Sequence, residues 1–327
     1  MRPYSVISVS AVRRNLSLLS RAASAPVIAV VKDDAYGHGA EVLAQHIADM
    51  VCLFAVSSVE EGVRLRVAGI REGVLVLTPL LRREEALRAK WYRLTVTVAS
   101  AEGIALCAGL SAHIAFNTGM NRFGFAPQEA ERACRLCRAH KVRVEGVYSH
   151  LYDASDASAV RAQTQAFEQC CAAVRADFPS AMRHLCATGG ILAGGAPLDA
   201  VRPGLGLYGY VPPPFRNVLG LTPALRVYAH VLHAAPVYGR GAGYGAAKKR
   251  YAALHTLGAG YGDGFFRAGG LGAVGALCMD ACVREGALPA GRRVCVLDDA
   301  AAYAKEHGTT AYEVLTMLRG LRKYYAG

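Results

Sequence analysis

Five side chains able to do chemistry stand where apolar runs of the chain end: Lys32, Arg122, His150, Thr188 and Arg202. A lysine closing an apolar strand is either half of a structural ion pair or an amine available to a carbonyl. His150 is either a satisfied core histidine or a group that moves protons near neutral pH. Arg122, Arg202 and Thr188 supply the donors that carboxylates and phosphates accept from. Each residue alone has an ordinary explanation. Five of them at corresponding ends of successive runs point instead to one site.

The elements that must position them follow from periodicity. Apolar, β-branched runs recur at 26–31, 53–57, 74–78, 94–98, 113–117, 144–149, 184–188 and 200–202. Helical spacing fills the intervals at 41–50, 59–67, 83–89, 127–140 and 159–178. Strand alternating with helix implies parallel strands joined by crossovers. Eight such repeats within the first two-thirds of 327 residues fit a closed (β/α)8 barrel, which keeps its working residues at the strands' C-terminal ends. The pattern changes near Pro212-Pro213-Pro214, giving an α/β fold with a barrel over 1–214 and a mostly β domain over 215–327. In that second part, strands are expected at 225–232, 252–257, 274–279 and 294–297, with one helix near 310–319.

Composition narrows the function classes. Hydrophobic residues make up 53% and charged residues 19%, a globular balance, and no apolar run reaches membrane-spanning length. The formal net charge of +12 favours anionic partners. Its lysines and arginines are nevertheless scattered; the densest groups, Lys248-Lys249-Arg250 and 319–323, lack the aromatic interleaving of a nucleic-acid surface. Neither a nucleic-acid nor a membrane partner is expected, and the expected location is cytoplasmic. Ten cysteines include Cys134 and Cys137 at ligand-like spacing, but no second such pair follows, so buried thiols and no metal site are expected. The glycine-rich stretches at 239–245 and 258–264 open no helix of a βαβ unit and read as tight loops rather than dinucleotide sites.

The segment Val30-Val31-Lys32-Asp33-Asp34-Ala35-Tyr36-Gly37-His38-Gly39 resembles the cofactor-lysine motif of the alanine racemases, the fold-type III pyridoxal-phosphate enzymes. Further segments match in the same order: Asn117-Thr118-Gly119-Met120-Asn121-Arg122-Phe123-Gly124, Gly146-Val147-Tyr148-Ser149-His150, Val201-Arg202-Pro203-Gly204, Gly260-Tyr261-Gly262-Asp263-Gly264 and Cys278-Met279-Asp280. The resemblance implies a barrel followed by a β domain, pyridoxal 5'-phosphate as cofactor, and racemisation of alanine that supplies D-alanine for peptidoglycan. By position, Lys32 is the cofactor-bearing lysine and one proton-transfer base, with Tyr261 the base on the opposite face. Tyr36, Thr188 and the backbone amides of Gly204 and Leu205 would hold the phosphate. Arg202 would face the pyridine nitrogen, and His150 would join it in supporting the phenol. Arg122 would contact the substrate carboxylate, with Met279 and Asp280 completing the substrate side. Tyr261, Met279 and Asp280 would come from a second subunit, which makes a homodimer with shared sites.

The chain also departs from the family pattern. Ala115 stands where the family has a lysine, often carbamylated, that orients the arginine, and Ala187-Thr188-Gly189-Gly190 replaces an Asn-Ser-Ala pattern. The loop at 265–274 is short, and Ala276 replaces a channel arginine. Gly320 falls where a phosphate-contacting tyrosine stands in relatives, with Tyr324 and Tyr325 nearby as substitutes. These departures leave two alternatives beside alanine racemisation: a racemase of another small amino acid such as serine, or a pyridoxal-phosphate-binding protein without turnover.

Overall fold

The computed structural model describes residues 2–239, 241–245 and 250–327. Lys248 and Lys249 of the basic cluster, and Arg240 of the first glycine-rich stretch, lie outside these. The chain divides into two compact units, one of Arg13–Ala35 and Ala40–Leu221, the other of Met1–Val12, Tyr36–Gly39 and Thr222–Gly327.

The chain opens with β1 (Tyr4–Ser8) and α1 (Val9–Ala23), followed by β2 (Ile28–Val30), the turn α2 (Lys32–Gly37) and α3 (Ala40–Ile47). Next come β3 (Leu53–Val56), α4 (Val59–Val67), β4 (Gly73–Val76), α5 (Arg83–Trp91), β5 (Val96–Val98) and β6 (Ser111–Ala115). Then follow α6 (Ala130–Ala139), β7 (Arg143–Tyr148), α7 (Ala157–Asp177), β8 (Met182–His184) and α8 (Thr188–Leu192). Strands β2-β3-β4 and β5-β6-β7-β8 form two parallel sheets. Parallel bridges join Leu75 to Thr95, His184 to Ala200 and Val27 to Val201, which closes the ring. The eighth strand is reduced to the bridges at Ala200 and Val201. The barrel strands are mostly apolar because they are covered on both faces; Ile28, Phe54, Val56, Leu75, Val96, Ile114 and Val147 are all buried.

Helix ends follow local chemistry. Ser58 and Glu61 form a capping box at the start of α4, and Asp156 caps α7. The Cys134 and Cys137 spacing is the inner stripe of α6, shared with Ala130 and Ala133. Burial pushes those thiols up, to about 11 at Cys134 and about 12 at Cys137.

In the second unit, β9 (Leu225–Ala235), β10 (Leu254–Leu257), β11 (Cys282–Glu285), β12 (Arg293–Leu297) and β13 (Arg322–Ala326) join β1 in one sheet. It runs β11-β10-β9-β1-β13, with β12 also paired to β9. Helices α9 (Ala300–Glu306) and α10 (Ala311–Met317) lie between β12 and β13 in sequence. Three features differ from the sequence reading. The first twelve residues group with the β unit rather than the barrel, because β1 pairs in parallel with β13 and antiparallel with β9. Two helices stand where one was expected. The run at 274–279 makes only an isolated bridge, Tyr244 to Ala276, while Cys282–Glu285 takes the strand position. Gly275 explains the break: its φ is +74°, and a Cβ there would lie 2.3 Å from the Tyr244 carbonyl oxygen.

Candidate active site

Lys32 follows β2 directly and is half-buried. Among the described residues its side chain makes no hydrogen bond or ion pair. The chain beyond it reverses hand. Asp33, Asp34, Ala35 and Tyr36 have φ of 51°, 55°, 54° and 53°, and Gly37 continues at 78°. L-residues visit this region as single residues far more often than in runs. Glu61 holds the start of the turn, its Oε1 accepting the Asp33 N–H at 2.7 Å while Oε2 accepts the Ser57 N–H at 2.6 Å. The Ala40 N–H donates to Asp34 Oδ1 at 3.0 Å. Tyr36 is buried, its ring centroid 6.0 Å from that of Tyr312.

Arg202 is buried after the last bridge and has no carboxylate partner among the described residues. Its Nη1 donates to His184 Nδ1 and to the His184 carbonyl, each at 2.7 Å. Its Nη2 donates to the Ser149 carbonyl at 2.5 Å and the Leu185 carbonyl at 3.1 Å. The guanidinium also lies 5.2 Å from the Tyr148 ring centroid. Five N–H donors less four committed leaves one, at Nε. Burial lowers the guanidinium to about 10, so it remains a cation at neutral pH.

Because Arg202 donates to Nδ1 of His184, that histidine carries its proton on Nε2 and donates it to His113 Nδ1 at 2.7 Å. Burial and the charge of Arg202 push His113 down to about 3 and His184 well below its ordinary value. Both are neutral rings in a relay that aims the arginine. Gly146 in β7 makes room for it: a Cβ there would lie 2.6 Å from the His113 ring.

His150 follows β7 and is half-buried. Burial, then the cations of Arg202, Arg122 and Lys32, push it down to about 3. One neutral imidazole therefore senses three of the side chains singled out in the sequence. Arg122 is exposed in the bend before Phe125, its guanidinium 5.0 Å from the Phe123 ring centroid. The position of the missing lysine, Ala115, is buried against Ala99 and Tyr148, with Leu77 and Phe123 packed on them. That space is apolar, and it is braced by the Tyr148 hydroxyl, which bonds Thr97 Oγ1 at 2.9 Å and donates to the Leu77 carbonyl at 3.2 Å.

Thr188 is buried, and its Oγ1 accepts the Gly206 N–H at 3.1 Å, leaving its hydroxyl proton for another acceptor. The neighbouring amides of Gly204 and Leu205 are buried and have no acceptor among the described residues. Buried unpaired N–H groups are rare in folded proteins. A Cβ on Gly206 would lie 2.9 Å from Thr188 Cγ2. Two amides and a hydroxyl thus form a cradle with the chemistry of a phosphate site.

The second unit assembles the remaining residues. Tyr261 is 37% exposed at the start of a short turn, where its N–H donates to the Cys278 carbonyl and that of Gly262 to the Met279 carbonyl. Gly260 is required, since a Cβ would lie 2.4 Å from the carbonyl oxygens of Cys278 and Met279. Met279 and Asp280 are exposed beside it. Arg2 ties these two loops together, its Nη1 donating to Asp263 Oδ1 at 3.1 Å and Asp280 Oδ1 at 2.9 Å. Tyr325 donates to the His38 carbonyl at 3.2 Å, Gly320 closes a short turn, and Tyr324 is exposed on the sheet.

Sequence reasoning missed Glu61, His113, His184 and Arg2. Glu61 carried a signal, as the fourth residue of a Ser58 capping box. His113 and His184 begin the runs expected as strands, away from the ends searched for chemistry, and Arg2 gave no local cue.

The family profile described as "Alanine racemase, N-terminal domain" matches residues 7–212. The alanine racemase of Deinococcus radiodurans is 35% identical over 251 residues, covering 75% of this chain and 70% of that protein. That of Streptococcus pneumoniae is 33% identical over 261 residues, covering 75% and 71%. The crystal structure of alanine racemase from Streptomyces lavendulae superposes with a TM-score of 0.87 at 28% identity, covering 100% of this chain and 97% of that one. The barrel with its strand-end lysine and buried arginine thus falls in an isomerase class. The chain belongs to the alanine racemase family. The barrel-plus-β architecture expected from the sequence is the architecture of the family's solved structures.

Proposed function

We propose that this protein interconverts L- and D-alanine with bound pyridoxal 5'-phosphate, using Lys32 and Tyr261 as bases on opposite faces of the substrate. The residues present fit the cofactor. The free amides of Gly204 and Leu205 with the Thr188 hydroxyl match a phosphate, the single Nε–H of Arg202 matches a pyridine nitrogen, and Lys32 supplies the amine. When bound, the cofactor supplies an electron-withdrawing ring conjugated to the substrate α-carbon, which acidifies its hydrogen.

The Lys32 amine takes or returns the α-proton on one face, and the Tyr261 phenol does the reverse on the other. A phenol is a weak proton acceptor near neutral pH unless cations lie beside it. Arg122 receives the substrate carboxylate, and Met279 and Asp280 border the substrate. Arg202 would hold the cofactor's ring nitrogen without readily giving it a proton, and the cofactor would then be a weaker electron sink, which suits returning a proton better than completing a decarboxylation. Tyr261, Met279 and Asp280 share one exposed surface of their unit, which suits delivery to a second subunit of a homodimer. The β domain in this reading completes the partner's site.

The observation that carries this reading is the convergence of Lys32, Arg122 and Arg202 on one neutral histidine. Incubating cofactor-loaded protein with L-alanine in heavy water should give D-alanine carrying deuterium at the α-carbon, with L-serine converted more slowly. Lys32→Ala should abolish exchange, and Tyr261→Phe should impair one direction of racemisation more than the other. Absence of exchange with either amino acid, in protein that holds cofactor, would overturn the assignment.

A further inference from the structure

The sheet of the second unit carries a cavity of about 530 Å³ lined by two arginines, Arg293 and Arg322, that have no role in the proposed racemisation. Its lining comes from alternate positions of four adjacent strands. The register pairs Tyr4 with both Arg322 and Tyr228, Val6 with Tyr324, and His230 with Arg293. Residues paired across strands share a face, so these side chains rise from one side of the sheet. We propose that this cavity binds a small, multiply charged oxyanion, a phosphate ester or a polycarboxylate, between Arg293 and Arg322.

Charge is the first support. Arg2, Arg293, Arg322 and His230 line the cavity, and among the described residues no carboxylate does. Arg2 is committed to Asp263 and Asp280, whereas the guanidiniums of Arg293 and Arg322 have no hydrogen bond or ion pair among the described residues. Two unneutralised guanidiniums in one concavity raise the local concentration of anions and offer paired donors to oxyanions. Pre-organisation is the second. Arg293 stacks 4.8 Å from the Tyr228 ring centroid and Arg322 5.2 Å from that of Tyr324. Tyr4 packs between those two tyrosines, at 6.0 Å and 5.2 Å. The exposed guanidiniums therefore rest against aromatic rings. An unpaired ring nitrogen is the third. His230 Nδ1 is buried with no hydrogen-bond partner among the described residues, and in the tautomer that carries its proton there it is a donor that an anionic oxygen would satisfy. The volume lies within the range of small-molecule pockets and exceeds what one chloride fills.

The test is calorimetric titration of the cofactor-loaded full chain with inorganic pyrophosphate and, separately, with citrate, at constant ionic strength. The cofactor's visible absorbance is followed alongside to exclude displacement. Wild type should bind one anion per chain with Kd below ~1 mM. Tighter binding of pyrophosphate assigns the phosphate source, and tighter binding of citrate the carboxylate source. The Arg293→Ala/Arg322→Ala double variant should lose at least tenfold in affinity, with its circular dichroism, cofactor content and racemisation unchanged. Should that variant fold poorly, Tyr324→Ala, which removes the ring against Arg322 at an exposed position, should weaken binding severalfold instead. Absence of binding by both probes, equal affinity in wild type and variants, or abolition by a modest increase in sodium chloride would overturn the proposal.

Discussion

Lowering the pH from 7.5 to 5.0 presses protons onto His113 and His184, which the folded chain cannot accommodate. His184 already donates to His113 and accepts from Arg202, and both rings are buried beside that cation. His113 is held at about 3 and His184 well below its ordinary value, in each case by burial first and by Arg202 second. Released into the unfolded chain, each titrates near 6.5. Below that pH the unfolded state binds more protons, so stability falls as pH falls, and the loss ends only at the folded value. The limiting slope is about 1.4 kcal/mol per pH unit per histidine, so between pH 6.5 and 5.0 each should cost about 2 kcal/mol. Together they should cost about 4 kcal/mol, a large share of an ordinary domain's stability. Above pH 7 they contribute no slope. Urea unfolding of cofactor-free protein, followed by circular dichroism at several pH values in this window, measures the loss directly. The His113→Gln/His184→Gln variant keeps polar side chains that do not titrate. It should be less stable at pH 7.5 yet lose about 4 kcal/mol less on acidification. Equal pH slopes in wild type and variant would refute the relay as the acid-sensitive element.

The same relay predicts that Gly146→Ala, whose new methyl would lie 2.6 Å from the His113 ring, lowers stability by roughly 1–3 kcal/mol in urea titrations. Glu61→Ala removes the carboxylate that receives the Asp33 and Ser57 amides, at about 1–3 kcal/mol for each donor left buried. Hydrogen exchange should then accelerate at Asp33 before it does in the barrel strands. Arg2→Ala breaks the tie between the loops bearing Tyr261 and Met279. Its melting temperature should barely change while kcat falls in both directions, and an unchanged kcat would remove Arg2 from any positioning role.

The barrel was legible because its strands carry two-sided apolar runs and its helices carry one-sided ones, and these periods survive in a single sequence. Lys32, His150, Thr188 and Arg202 were legible because they interrupt such runs at the end where barrels keep chemistry. What supports them was not. The His113–His184 contact joins β6 to β8 across 71 residues, and nothing in either local pattern announces it. The pairing of β1 with β13 is equally remote in sequence, so nothing local shows that β1 belongs with the β unit. The run at 274–279 looks like a strand by composition, but hydrophobicity does not reveal the left-handed φ of Gly275. The cluster around Ala115 shows how a missing charged residue is accommodated: its space is closed by Phe123 and Leu77, while Tyr148 spends its hydroxyl on Thr97 and a carbonyl.

The turn after Lys32 is the costliest local feature described here, and its position is informative. Four consecutive non-glycine residues at φ near +50° amount to about 4–8 kcal/mol, at 1–2 kcal/mol per residue. A chain of marginal stability keeps such strain only where surrounding contacts over-determine it. Here they do: Glu61 and Asp34 engage backbone amides on either side, Ala35 donates to the Val31 carbonyl at 2.9 Å, and the room beside Gly37 admits no Cβ, which would lie 2.3 Å from the Leu315 carbonyl oxygen. A right-handed continuation of β2 would send the backbone elsewhere and leave those partners unmet. The reversed hand therefore fixes the path of the chain immediately after the lysine, whose backbone is clamped between a buried strand and a turn with little freedom to relax. In the role proposed for Lys32, a base that must meet the same carbon in both directions of a reversible reaction gains from such a mounting, since its geometry is held close to the productive one.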